Sequence, residues 1–133
     1  MSGPIATEAE VQRSIIKLLE WAGFVVWSTS RVRRRCSHCG SYSSGGDGVE
    51  KGLPDLVFCH PRIPRLLGGI EVKGPKTTIS PEQRAAADAG CYAICRSPEE
   101  AALAVVNWWR SYARCPDPVP SAVLRLVEAG YRQ

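Results

Sequence analysis

The run Gly69-Ile70-Glu71-Val72-Lys73, read with Leu53-Pro54-Asp55-Leu56-Val57-Phe58 before it, decides the fold. Both read as short β-strands set off by breakers: Gly52 and Pro54 at the first, Gly68 and Gly69 before the second, Gly74-Pro75 after it. Side chains alternate along a strand, so Glu71 and Lys73 share one face and Ile70 and Val72 the other. A carboxylate and an amine then sit side by side over an apolar underside. Asp55 opens the preceding strand. With the two strands close in one sheet, Asp55 and Glu71 can share a divalent cation beside Lys73. Hard cations such as Mg²⁺ take carboxylate and carbonyl oxygens and keep several waters. A bound one polarises a phosphate oxygen, acidifies water and orients attack. The residue types suit phosphodiester hydrolysis, although an isolated Glu-x-Lys is equally at home on a solvated strand face and Pro-Asp is ordinary turn chemistry.

Upstream, residues 7–22 read as an amphipathic helix with Thr7 at its cap and Gly23 past its end. Val11, Ile15, Leu18, Leu19 and Ala22 form its apolar stripe. Glu8 falls in line with that stripe and Glu10 points away. Phe24-Val25-Val26-Trp27-Ser28 is a continuous apolar run, consistent with a buried strand. Residues 29–52 read as one long loop holding Arg31, Arg33, Arg34 and Arg35, the tetrad Cys36-Ser37-His38-Cys39, and a Ser/Gly-rich stretch. Loops of this length are uncommon in compact domains and tend to be functional or disordered. The four arginines can meet nucleic-acid backbone, or can simply be solvated.

Downstream, His60 to Arg65 reads as a turn joining the two central strands, with room for further basic contacts. Lys76 lies past the Gly74-Pro75 break, placed for a phosphate. Ser80-Pro81-Glu82-Gln83 starts a helix that runs to Ala89 and stops at Gly90: Ser as cap, Pro first, Gln third. Cys91 to Cys95 reads as another buried strand. Ser97-Pro98-Glu99-Glu100 starts a helix to about Tyr112, with Val105, Trp108, Trp109 and Tyr112 on one side as core or subunit contact. Pro116-Asp117-Pro118-Val119-Pro120 breaks the chain, and a last helix spans Ser121 to Ala129. The order helix, three strands, helix, strand, helix predicts an α/β sandwich around a small mixed sheet.

At 133 residues the chain suits a single core. No apolar run is long enough to cross a bilayer, and Met-Ser-Gly-Pro lacks the features of a signal peptide, so no membrane association and a cytoplasmic location are expected. The net charge of +4 favours a polyanionic partner without requiring one. Of the six cysteines, Cys59, Cys91 and Cys95 lie in apolar runs and read as buried small hydrophobes. Cys36 and Cys39 have zinc-knuckle spacing, but a closed zinc site needs four ligands. The others would have to come from Cys59, His60 or a second subunit; free loop thiols are the simpler reading.

Gly52-Leu53-Pro54-Asp55, Ile70-Glu71-Val72-Lys73-Gly74-Pro75-Lys76 and Ile79-Ser80-Pro81-Glu82-Gln83 together resemble the virus-type replication-repair nuclease (VRR-NUC) family of the PD-(D/E)xK nuclease superfamily. Glu8-x-x-Val11-Gln12 and Arg96-Ser97-Pro98-Glu99-Glu100-Ala101 fit the same pattern, so the resemblance spans about residues 7–106. Residues 116–133 read as a Pro-rich linker and C-terminal helix packed on the same domain, and the resemblance implies a restriction-endonuclease-like core, αβββαβα, over residues 1–115 before them. It implies Mg²⁺ or Mn²⁺ held by Glu8, Asp55, Glu71 and the Val72 carbonyl, with Glu10 the alternative to Glu8. Lys73 would position or activate water. Gln83 would support the site, complete the capping box, or do both. The implied activity is a structure-specific DNA endonuclease acting on Holliday junctions or flaps in replication, recombination or repair, most simply as a homodimer, with a helicase or other replication protein as a possible partner. Two other readings stand: a nucleic-acid-binding module without cleavage, using the basic loop, and a zinc-dependent interaction module on Cys36 and Cys39.

Overall fold

The computed structural model describes residues 6–29, 38 and 52–131. Helix α1, Glu8–Trp21, begins where the Thr7 side chain accepts the Glu10 amide at 3.2 Å. Its apolar stripe buries Val11, Ile15, Leu18 and Leu19, as the 3.6-residue period requires. Gly23, at φ +90, turns the chain out of the helix. Strands β1 (Val25–Ser28), β2 (Leu56–His60), β3 (Ile63–Val72) and β4 (Ala93–Cys95) form one sheet in the order β1-β2-β3-β4. The first two pairings are antiparallel and the β3–β4 pairing is parallel. Helix α2, Pro81–Asp88, supplies the crossover between β3 and β4. Helices α3 (Pro98–Asn107) and α4 (Ser121–Tyr131) complete a mixed α/β architecture with four helices and four strands among the described residues. None of these helices is long and apolar enough to cross a membrane.

The core lies between one sheet face and helices α1 and α3. Leu56, Phe58, Ile70, Val72 and Cys95 come from the sheet, Ile15 and Leu19 from α1, and Ala101 and Val105 from α3. Ile70 and Val72 are fully buried, so the alternation expected of this strand holds. Phe58 lies over Gly68, its Cα partner across the strands; a Cβ at Gly68 would come within 2.3 Å of the ring. Phe24, Phe58, His60, Trp108 and Trp109 form an edge-to-face cluster with ring centroids 4.7 to 6.5 Å apart. Helix α3 passes into a π-helical turn, Trp108–Tyr112, closed by Ala113 N–H donating to the Trp108 carbonyl at 2.8 Å. This places both Trp108 and Trp109 in the core, where Trp109 Nε1 donates to the Asp117 carbonyl at 2.8 Å. Tyr112 is left exposed, so it does not share their side. Helix α4 packs on α3 and α1 through the buried Val123, and continues through Gly130.

Three expectations are corrected. The run 24–28 is not a buried strand: β1 is a sheet edge, and Val25 and Trp27 are 45% and 48% exposed on the outer face while Phe24 is buried. The segment 60–65 is not a loose turn. His60 pairs with Ile63 around Pro61-Arg62, so β3 starts six residues before Gly69, with a register irregularity after Phe58 and Arg65 at φ +68. Among the cysteines, Cys95 is buried and burial pushes its thiol up to about 12, but Cys91 is exposed and Cys59 only half-buried. Of the two readings for Trp108 and Trp109, core or subunit contact, the structure shows the core.

Candidate active site

The carboxylates of Asp55 and Glu71 meet at the end of the sheet where β2 begins and β3 finishes. Two clasps set Asp55. Thr29 N–H donates to the Asp55 carbonyl at 2.8 Å, and the Thr29 hydroxyl donates to the Pro54 carbonyl. Asp55 Oδ2 in turn accepts the Val72 amide at 2.9 Å, extending the β2–β3 ladder by a side-chain rung. Gly69 lets Pro54 close over the strand; a Cβ there would stand 2.9 Å from Pro54 Cγ and 3.1 Å from Tyr92 Cβ.

Glu71 is only 8% exposed. Burial, then the neighbouring charge of Asp55 and a hydrogen bond with its side chain, push the Glu71 carboxyl up to about 7, against the pull of Lys73 and the Asp55 backbone. Lys73 is near enough to act on Glu71 in this way, yet it makes no ion pair among the described residues. Gln83 Nε2 donates to Glu71 Oε1 at 3.3 Å, while Gln83 Oε1 accepts the Ser80 amide at 3.1 Å. One side chain therefore both completes the capping box and reaches Glu71. Helix α2 has no buried residue and reaches the sheet through polar groups: Gln83 to Glu71, and the Tyr92 hydroxyl donating to the Gln83 carbonyl at 3.4 Å.

The Val72 carbonyl lies at this end of the sheet as well. Lys73 N–H donates to the Cys95 carbonyl on β4 at 3.0 Å. Across a planar trans peptide the C=O opposes the N–H, so the Val72 carbonyl points away from β4, toward the Asp55 side. Two carboxylates and one carbonyl thus lie at the same end of the sheet. The donor set suits a hard cation that keeps water or phosphate oxygens as its remaining ligands. Among the described residues no group of three His, Cys, Asp or Glu side chains could hold an ion. Glu8 comes in from the first turn of α1. It lies against Gly74, with its Oε2 accepting from the Thr77 hydroxyl at 3.4 Å. Glu10 is exposed, its backbone tied to the Thr7 cap.

Two residues that the sequence reading did not single out complete the surroundings. Arg96 donates to the Gly74 carbonyl at 2.6 Å and fixes the chain just past Lys73. Tyr92 is buried beside Glu71, and burial followed by the Glu71 charge raises its hydroxyl. Arg96 lies in the Arg-Ser-Pro-Glu motif, which offered a signal; Tyr92 was read only as strand. Lys76 is exposed beyond the Gly74 turn. Arg31, Arg33, Arg34, Arg35, Cys36 and Cys39 lie outside the described residues. His60, named as a possible further zinc ligand, is buried in the aromatic cluster. Its Nδ1 accepts the Arg62 amide at 3.2 Å and desolvation holds its pKa low, so it is a neutral core histidine. No protein-family model, no curated protein and no solved structure matches this chain.

Proposed function

We propose that this chain is a metal-dependent DNA endonuclease of the VRR-NUC type, with a restriction-endonuclease-like core. One observation carries the reading: a buried glutamate pressed against a second carboxylate at the end of the sheet, with the Val72 carbonyl on the Asp55 side. Two like charges held together in a fold cost stability unless a cation compensates them. A module that only binds nucleic acid has no use for the pair, which favours catalysis over the non-catalytic reading.

Asp55, Glu71 and the Val72 carbonyl are the residues that would hold Mg²⁺ or Mn²⁺. Such an ion neutralises charge on the phosphate and acidifies water. Gln83 fixes the Glu71 carboxylate in the orientation that ligation needs. Lys73, on the same strand face as Glu71, binds the attacking water and a non-bridging phosphate oxygen. Lys76 and the arginines at 31, 33, 34 and 35 neutralise neighbouring phosphates. Glu8 serves from the rim through its link to Thr77 rather than inside the pair. Branched DNA is the proposed substrate, with the protein acting in the cytoplasm as a homodimer alongside replication proteins.

The test is cleavage of a panel of linear, flap and four-way-junction DNA with Mg²⁺ or Mn²⁺. Strand scission that is lost in chelator and in Glu71→Ala is expected. Scission that persists in excess chelator, or in Glu71→Ala at the wild-type rate, overturns the assignment.

A further inference from the structure

Trp27 is 48% exposed on the outer face of the sheet. A single exposed Trp needs no explanation in itself; its position in the register does. Trp27 pairs with Val57, and Val57 pairs with Gly69, so these three form one row across β1, β2 and β3. Two residues further along the same strands come Asp55 and Glu71, on the same sheet face. Strand rise and spacing put the Trp27 Cα about 8 Å from that of Asp55 and about 12 Å from that of Glu71. Pro54 closes over Gly69 in this row, and Val57 is a low aliphatic step beside Trp27. Trp21 is more exposed, but it ends α1, at the opposite end of β1 from the carboxylates.

We infer that Trp27 is a stacking platform for one unpaired nucleobase next to the scissile phosphate. The inference rests on the proposed nuclease site and adds a substrate subsite to it. A phosphate held at Asp55, Glu71 and Lys73 must send its neighbouring nucleoside outward over some part of the sheet. On the β1 side that surface carries Trp27, one diagonal step in the register from Asp55. Aromatic side chains on an open sheet face stack bases without reading their sequence. A base already stacked and paired within a duplex cannot lie on it. The subsite therefore selects nucleic acid with an unpaired nucleotide beside the cut and discriminates against a continuous duplex.

The experiment measures binding in chelator, where no cleavage occurs, by anisotropy of labelled DNA. A duplex with an unpaired tail is compared with a blunt duplex for the wild type, Trp27→Ala and Trp27→Phe. Trp27→Ala is expected to weaken binding of the tailed DNA roughly 5- to 150-fold, the loss that removal of one base–aromatic stack produces. Blunt-duplex binding should be unchanged, and Trp27→Phe should restore most of the loss. An abasic nucleotide moved along the tail should weaken the wild type at one position and leave Trp27→Ala indifferent there. Equal losses on tailed and blunt DNA, or no loss at all, overturn the platform while leaving the nuclease intact. A Trp27→Ala protein whose mass by light scattering differs from the wild type overturns it in favour of a contact between copies. Wild-type protein that neither binds nor cuts any of these DNAs removes the nuclease reading itself.

Discussion

Gln83 joins the start of α2 to the buried Glu71: its Nε2 donates to Glu71 Oε1 at 3.3 Å while its Oε1 holds the Ser80 amide at 3.1 Å. Gln83→Ala should weaken α2 by about 1 kcal/mol, the worth of such a cap, and lower kcat by at least about tenfold. Gln83→Glu keeps the acceptor for Ser80 but sets a further carboxylate against Glu71. It should retain the helix and lose more activity than Gln83→Ala at pH 8. Circular dichroism and single-turnover cleavage separate the two effects.

Asp55 serves two functions that a pair of substitutions can divide. Its carboxylate is the acceptor for the Val72 amide, so Asp55→Ala leaves that part-buried N–H without its partner. A loss of about 1–3 kcal/mol is expected, together with loss of cleavage. Asp55→Asn keeps an oxygen acceptor but not the charge. It should unfold near the wild-type temperature and still fail to cut DNA.

Glu71 makes the metal-free protein's stability depend on pH. Its carboxyl titrates near 4.5 when unexposed to these neighbours and near 7 in the fold. Between those values the folded chain keeps a proton that the unfolded chain has released, so stability falls as pH rises through that window. The cost is complete above about pH 7 and amounts to at most about 3 kcal/mol. Glu71→Gln should therefore raise the melting temperature at pH 8 in chelator, have little effect at pH 4, and abolish cleavage. Mg²⁺ should stabilise the wild type at pH 8 and not the variant.

Glu8 lies at the rim, against Gly74 and Thr77. Glu8→Ala should lower cleavage less than Glu71→Ala and more than Glu10→Ala, since the Glu10 side chain is exposed on the first turn of α1. Steady-state rates of the three variants at saturating Mg²⁺ test the ranking.

Gly68→Ala should be among the most damaging single changes. The added methyl would stand 2.3 Å from Phe58 Cζ, inside the aromatic cluster. Neither strand backbone nor a buried ring can yield cheaply, and overpacking of this kind costs about 1–3 kcal/mol or more. Denaturant unfolding measures it.

Much of the fold was legible because its signals are local. Ser80-Pro81-Glu82-Gln83 carries its own capping chemistry, and both predicted bonds form. The alternation Ile70-Glu71-Val72-Lys73 fixes which pair faces the core. What stayed hidden depends on neighbours distant in sequence. Alternation cannot say that Glu71 is covered by Asp55 and Gln83, so its burial was unreadable. The run Phe24 to Trp27 looks the same at a sheet edge as at its centre, and only the pairing shows Trp27 open. Pro61 and Pro64 spread the expected turn over residues 60–65, but the His60–Ile63 pair confines it to Pro61-Arg62. Helix phase aligns Glu8 with the apolar stripe of α1, but it could not foresee the Thr77 hydroxyl as its partner.

Helix α2 has no buried residue, and Gln83 and Tyr92 are its polar ties to the sheet. Its amides should consequently exchange with solvent through a local opening far less costly than global unfolding, while those of β2 and β3 wait for the whole domain. Each such opening would release Glu71 from Gln83. Any ligand that pins Glu71 would slow exchange along α2, making that helix a reporter of occupancy at a site it never touches through its own core.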